Sequence, residues 1–266
     1  MNQAPLLLYG IHSILEKLRA APDDVEEILL TEDSLGGSAR ALHREAKRLG
    51  VRVSYASRAA LDRLSQGQRH QGAVARIAPY GYFQIPDLLD EVSAPEFSGC
   101  VLALDGLTDP HNFGAILRTA EAVGVRHVVI PKDRSVDVTP VVMKTSAGAV
   151  HHLKVCKATN LRRVIAGLKA RGFWVVGLCA DAPEGIFDHL YPLKVCLVLG
   201  SEGGGIRPLI RSECDFQVAI PMLGKTASLN VSVAGAVFLY EWVRQRGMTA
   251  DPASHPSRHK LDHGPS

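Results

Sequence analysis

From residue 99 onward the sequence predicts an α/β architecture on a parallel sheet, and two features of the pattern lead there. Five short apolar runs, CVLALD, HVVI, FWVVGL, VCLVLG and FQVAI, recur between Cys100 and Ile220. Helical stretches at 113–123, 139–147, 160–171, 206–213 and 229–246 lie among them. Runs that are apolar throughout, rather than on alternate residues, suit strands covered on both faces. Strands alternating with helices are the signature of βαβ units.

Ahead of this region, residues 1–78 mix shorter pieces and predict a small α/β domain of their own. GIHSILEKLRA has helical spacing, VEEILL and VRVSY read as strands, and QGAVARI reads as another strand. ARALHREAKRLG predicts a helix ending at Gly50, which suits a C-terminal cap. Residues 79–98, PYGYFQIPDLLDEVSAPEFS, hold three prolines and read as a linker with one short helical turn. The main domain is then expected over 99–247. Residues 248–266 contain too little apolar material for a core and are expected to be disordered. His255, His259 and His263 recur every four residues there, but Pro256 breaks the helix a metal site would need. No metal is expected.

The composition narrows the function classes. At 266 residues, 46% hydrophobic and 21% charged, the chain fits a soluble globular protein with one large or two modest domains. No apolar run is long enough to span a bilayer. Leu6–Leu8 is too short for a secretory core and lacks a basic leader. The five cysteines are odd in number and form no CxxC pair, so they are expected to be reduced and buried in a cytoplasmic protein. A net charge of +3 is too small to demonstrate a nucleic-acid partner. The local imbalance is sharper: residues 39–76 carry nine Lys/Arg against two acids, Glu45 and Asp62. Such a segment could hold a polyanion or be a solvated face.

Parallel sheets bind ligands beyond the carboxyl ends of their strands. Three loops stand there. The first, GLTDPHNFGAILRTAEAVGV, lacks the GxGxxG of a nicotinamide site. Asn112 could cap the helix near Phe113, with Arg118 and Glu121 in its first turns; capping and a surface ion pair are the plain alternatives to a functional role. The second, SEGGGI at 201–206, lets backbone approach a ligand closely beside the carboxylate of Glu202. The third, PMLGKTASLN, contains GKT, but Ala219 stands where a phosphate loop needs glycine, which excludes that motif. If the strands are neighbours, Asn112, Arg118, Glu202, Ser228 and Asn230 converge at one edge.

These segments carry a resemblance. DPHNFGAILRTAEAVGV, LVLGSEGGGI and IPMLGKTASLNVSVAGAVFLYE resemble the three ordered motifs of the SpoU-type RNA ribose 2′-O-methyltransferases, over residues 100–246. The stretch from LLLYGIHSILEKL to HQGAVARI resembles the family's amino-terminal RNA-binding domain, whose fold is similar to small ribosomal proteins. The resemblance implies a trefoil-knotted α/β methyltransferase domain of the SPOUT superfamily and a homodimer. It implies S-adenosylmethionine as cofactor, bent within the knotted loops and held by backbone groups at Gly200, Ile220 and Leu229. Catalytic or positioning roles fall to Asn112, Arg118, Glu202, Ser228 and Asn230. The subgroup implied acts on a guanosine ribose of 23S ribosomal RNA. Transfer-RNA methylation by the same chemistry and a non-catalytic RNA-binding or ribosome-assembly protein are the competing readings.

Overall fold

A computed structural model describes residues 6–31 and 36–247; the tail expected to be disordered lies outside the described residues. The amino-terminal unit is a four-stranded sheet with helices on both faces. Its elements are β1 (Leu6–Tyr9), α1 (Ile11–Ala20), β2 (Val25–Thr31), α2 (Gly37–Arg48), β3 (Val53–Ala56), α3 (Arg58–Ser65) and β4 (Ala73–Ile77). The order is β1-β4-β2-β3, with β4 antiparallel to both neighbours and β2 parallel to β3. Ile28 and Leu30 of β2 join Ile14, Leu18 and Leu42 of α1 and α2, while Leu29 packs with Val74 and with Leu61 of α3. This alternation is the strand period of two. The C-terminal cap of α2 is as expected: Gly50 has φ +72, and the amides of Gly50 and Val51 donate to Lys47 and Ala46 at 3.2 and 2.9 Å.

The connecting segment carries a two-turn helix, α4 (Ile85–Glu91), longer than the single turn expected, and it is packed on the second unit. The Phe83 amide donates to the Val155 carbonyl at 2.9 Å, and the Tyr80 hydroxyl donates to the Leu153 carbonyl at 2.9 Å.

The second unit holds β5 (Gly99–Asp105), α5 (Pro110–Ala122), β6 (His127–Pro131), α6 (Pro140–Thr145), β7 (Lys154–Ala158), α7 (Leu161–Lys169), β8 (Trp174–Leu178), β9 (Glu184–Gly185), β10 (Lys194–Gly200), α8 (Pro208–Arg211), β11 (Phe216–Ala219) and α9 (Val231–Gln245). Every pairing in the sheet is parallel, in the order β7-β6-β5-β10-β8-β11-β9. The parallel sheet expected from the apolar runs is therefore present, with two more strands. Lysines at 154 and 157 interrupt the apolar run of β7, and β9 is only two residues long.

Both faces of this sheet are covered, which is why its strands are apolar throughout. Val101, Ala103, Cys196 and Val198 pack against Leu88 of α4 and Leu161, Ile165 and Leu168 of α7. Leu102, Leu104, Leu197 and Leu199 pack against Phe113 and Leu117 of α5 and Phe238, Leu239 and Trp242 of α9. The second cluster runs without a break into the core of the amino-terminal unit. Cys100, Cys156, Cys179 and Cys196 are buried as expected, whereas Cys214 is only half-buried. No helix among the described residues is long and apolar enough to cross a membrane.

Candidate functional site

The neighbouring strands β10, β8 and β11 end at Gly200, Leu178 and Ala219, and a cavity of about 420 Å³ opens beyond these ends. That volume suits a small-molecule ligand. Its apolar walls come from Leu178, Leu199, Ile220, Met222 and Leu229, and its polar rim from Ser201, Glu202, Ser228 and Asn230. All three residues expected at a cofactor, Gly200, Ile220 and Leu229, line it.

One wall is the glycine segment. Ser201 and Gly205 exchange both backbone hydrogen bonds, at 3.1 and 3.0 Å, and close a tight turn. Gly203 and Gly205 adopt φ +78 and +64, the left-handed region where a side chain is strained. Gly200 is excluded from change by contact: a Cβ there would lie 2.0 Å from the Gly205 carbonyl carbon.

A carboxylate that the sequence reading passed over holds this turn in place. Asp105 ends β5, pairs in register with Gly200 and is 1% exposed. Its carboxylate accepts the Arg207 backbone amide at 2.8 Å, the Arg207 Nε at 2.8 Å and the Nη2 of the same guanidinium. Hydrogen bonding to Asp105 in turn raises the Arg207 pKa. The Arg207 end of the 200–207 segment is thus fastened to the same strand end that Gly200 pairs with in the sheet. The signal for Asp105 was its place: an acid closing an apolar strand must find a partner once buried.

Across the mouth of the cavity runs a chain of hydrogen bonds that links the first turn of α5, the glycine turn and the start of α9. Asn230 caps α9: its Oδ1 accepts the Ser232 amide at 2.9 Å and the Ser232 hydroxyl at 2.6 Å. Its Nδ2 donates to Asn112 Oδ1 at 2.9 Å, and Asn112 Nδ2 donates to the Glu202 carboxylate. The orientation of both amides is dictated along this chain. A backbone N–H can only donate, so Asn230 turns its oxygen towards Ser232 and its nitrogen towards Asn112; Asn112 then has only its nitrogen left for Glu202.

Several expectations change here. Asn112 does not cap α5: the helix begins at Pro110, and Asp109 caps it by accepting the His111 amide at 2.9 Å. Asn112 is thereby released to bridge Glu202 and Asn230. Helix α9 starts at Val231 rather than 229. Asn112, Glu202 and Asn230 come together, and Ser228 borders the same cavity. Arg118 does not join them. It is exposed in the third turn of α5, and its side chain has no hydrogen-bond or ion-pair partner among the described residues. Six residues past Asn112, it stands about 9 Å further along the helix axis and roughly a third of a turn round. Cys179 touches the cavity, but burial raises its thiol pKa, which does not suit a nucleophile.

Comparison with known proteins places this geometry. Residues 99–240 match the SpoU rRNA methylase family, and residues 7–83 match the substrate-binding module of RNA 2′-O ribose methyltransferases. The chain belongs to the SpoU methylase family. Among its SpoU relatives, a Pseudomonas putida 23S rRNA (guanosine-2′-O-)-methyltransferase, RlmB, is 40% identical over 90% of this chain and 96% of the relative. A Bacillus subtilis protein assigned by name to the TrmH family of tRNA/rRNA methyltransferases, YacO, is 39% identical over 92% of this chain and 98% of its own length. The SpoU methyltransferase AviRb of Streptomyces viridochromogenes, solved in complex with the cofactor AdoMet, superposes with a TM-score of 0.74. It is 25% identical, and the match covers 91% of each chain.

Proposed function

We propose that this chain transfers a methyl group from S-adenosylmethionine to the ribose 2′-hydroxyl of a guanosine in 23S ribosomal RNA. The observation that supports it most is one meeting point. The glycine-walled cavity and the Ser232–Asn230–Asn112–Glu202 chain share the carboxyl ends of neighbouring parallel strands. The relatives named for guanosine 2′-O-methylation of 23S rRNA carry the choice of substrate.

The cavity suits the cofactor chemically. Apolar side chains at Ile220 and Leu229 offer a surface for a flat ring, and the open backbone of 200–205 offers amides and carbonyls at close range. When bound, S-adenosylmethionine supplies a methyl carbon already activated by its positive sulfur. The chain's own residues then align the reactants. Asn112 and Asn230, locked by Glu202 and the α9 cap, hold the ribose; Ser228 contributes a hydroxyl at the same rim. With the cofactor held at Gly200, Ile220 and Leu229, the methyl group it would supply would go to the ribose oxygen, and the hydroxyl proton would pass to solvent water. A guanidinium stays protonated in proteins, so Arg118 acts by gripping a phosphate of the target nucleotide.

The strand order supports a trefoil knot, since β10 enters between β5 and β8, and β11 between β8 and β9. A homodimer is supported by α9. Beyond its buried Phe238, Leu239 and Trp242, it carries Val233 and Tyr240 along its outer side, 48% and 58% exposed. A second copy on this face would complete a site from which Arg118 stands apart within one chain. A cytoplasmic location follows from the ribosomal substrate.

Calorimetric titration with S-adenosylmethionine tests the cavity. One site per chain is expected in the wild type, and loss of binding with retained secondary structure in Gly200→Ala, whose new Cβ collides with the turn. Absence of binding by the wild type would remove the enzyme reading. For the RNA, replacing Arg44, Lys47 and Arg48 by Glu is expected to weaken binding steeply and to spare cofactor binding. Wild-type affinity should also fall with added salt as phosphate counterions are displaced. Equal loss of both ligands would indicate misfolding instead.

A further inference from the structure

The amino-terminal unit exposes one large apolar side chain among its described residues, and it does so amid cations. Tyr55, on the edge strand β3, is 57% exposed, whereas the other large apolar residues left in solvent belong to the second unit. The His43 ring of α2 lies beside it, with centroids 6.4 Å apart and planes tilted by 37°. Arg40, His43, Arg44 and Lys47 follow the i, i+3, i+4, i+7 spacing of one helix face.

The cations near this ring differ in their availability. Arg48 is held by Glu45 through two hydrogen bonds at 2.8 and 3.0 Å, and hydrogen bonding to that arginine lowers the Glu45 pKa. Arg52 and Arg76 both lie 3.6 Å from Glu27. The side chains of Arg40, Arg44 and Lys47 have no hydrogen-bond or ion-pair partner among the described residues. An exposed aromatic ring with unpaired cations along the adjoining helix is the combination that binds single-stranded nucleic acid. The ring stacks a base, and the cations hold the flanking phosphates.

We propose that Tyr55, buttressed by His43, is a stacking platform for an unpaired nucleobase of the substrate RNA, with Arg40, Arg44 and Lys47 holding the strand on either side of it. This rests on the reading of an RNA substrate and adds what that reading lacks, a preference for unpaired over helical RNA at the docking domain. A paired base has its faces covered by its neighbours and cannot use the platform.

The test uses the full chain and a short RNA carrying 2-aminopurine, single-stranded or annealed to its complement. Stacking on tyrosine quenches the probe. Tyr55→Ala is expected to weaken single-strand binding roughly tenfold and to reduce the quench. Duplex affinity and the salt slope should stay as they were. Tyr55→Phe, which keeps the ring, is expected to behave like the wild type. Wild-type affinity and quench in Tyr55→Ala would overturn the platform; a steep salt dependence in the same titrations would leave the RNA reading standing. Wild-type binding that is weak and insensitive to salt would overturn both.

Discussion

Arg118→Ala is expected to lower methyl transfer by at least ~10²-fold, the lower range for a positioned group acting on the reacting nucleotide, while cofactor binding is unchanged. Arg118 is exposed and has no partner among the described residues, so its removal opens no cavity and leaves no buried group stranded. A loss of turnover would therefore report on chemistry rather than folding. Arg118→Lys keeps the charge but loses the two-pronged grip on phosphate and should recover only part of the rate. Turnover intact in Arg118→Ala, with RNA bound normally, would remove Arg118 from the site. Mixing two inactive proteins then separates the subunits. If one copy supplies Asn112 and its partner Arg118, an equal mixture of Asn112→Ala and Arg118→Ala that exchanges subunits should regain roughly a quarter of wild-type activity. If both groups act within one chain, every site keeps a defect and nothing returns.

Arg207→Met is the second large effect. It leaves the Asp105 carboxylate buried with the Arg207 backbone amide as its remaining partner among the bonds described above. Stranding a buried charge costs about 3 kcal/mol, at the low end of such changes because the Arg207 side chain is itself half exposed. The 207 end of the segment keeps only its backbone-amide bond to Asp105, so cofactor affinity should fall with stability. Adding Asp105→Asn to Arg207→Met removes the stranded charge and is expected to restore much of the stability in denaturant unfolding. A double variant as unstable as the sum of the singles would mean that the pair does not act as a unit.

The sheet was legible because burial on both faces leaves apolar runs, and β5, β6, β8, β10 and β11 all lie where such runs stand. Strand β7 was hidden by Lys154 and Lys157, whose side chains reach partners at its edge of the sheet: Lys154 pairs with Glu91 and Lys157 with Asp137. At the site, polar residues loaded beside glycines drew attention to Glu202, Ser228 and Asn230, which the structure brings to one cavity. Their mutual wiring was not legible, because it depends on which residue caps α5. Asp109 and Asn112 are both good capping residues three positions apart, and only the backbone path shows that Asp109 takes the role. Asp105 and Arg207, 102 positions apart, meet only through the register of β5 with β10. Arg118 illustrates the opposite limit: its motif position suggested convergence, whereas the helix geometry of a single chain turns it away.

The most direct measurement is transfer of labelled methyl from S-adenosylmethionine to unmodified 23S ribosomal RNA, with transfer RNA alongside and the product nucleotide identified by mass spectrometry. The account predicts 2′-O-methylguanosine in the ribosomal RNA and none in transfer RNA. Label confined to transfer RNA would keep the chemistry and overturn the substrate. No label in either RNA, from protein that binds the cofactor, would contradict the account and favour an RNA-binding role in ribosome assembly.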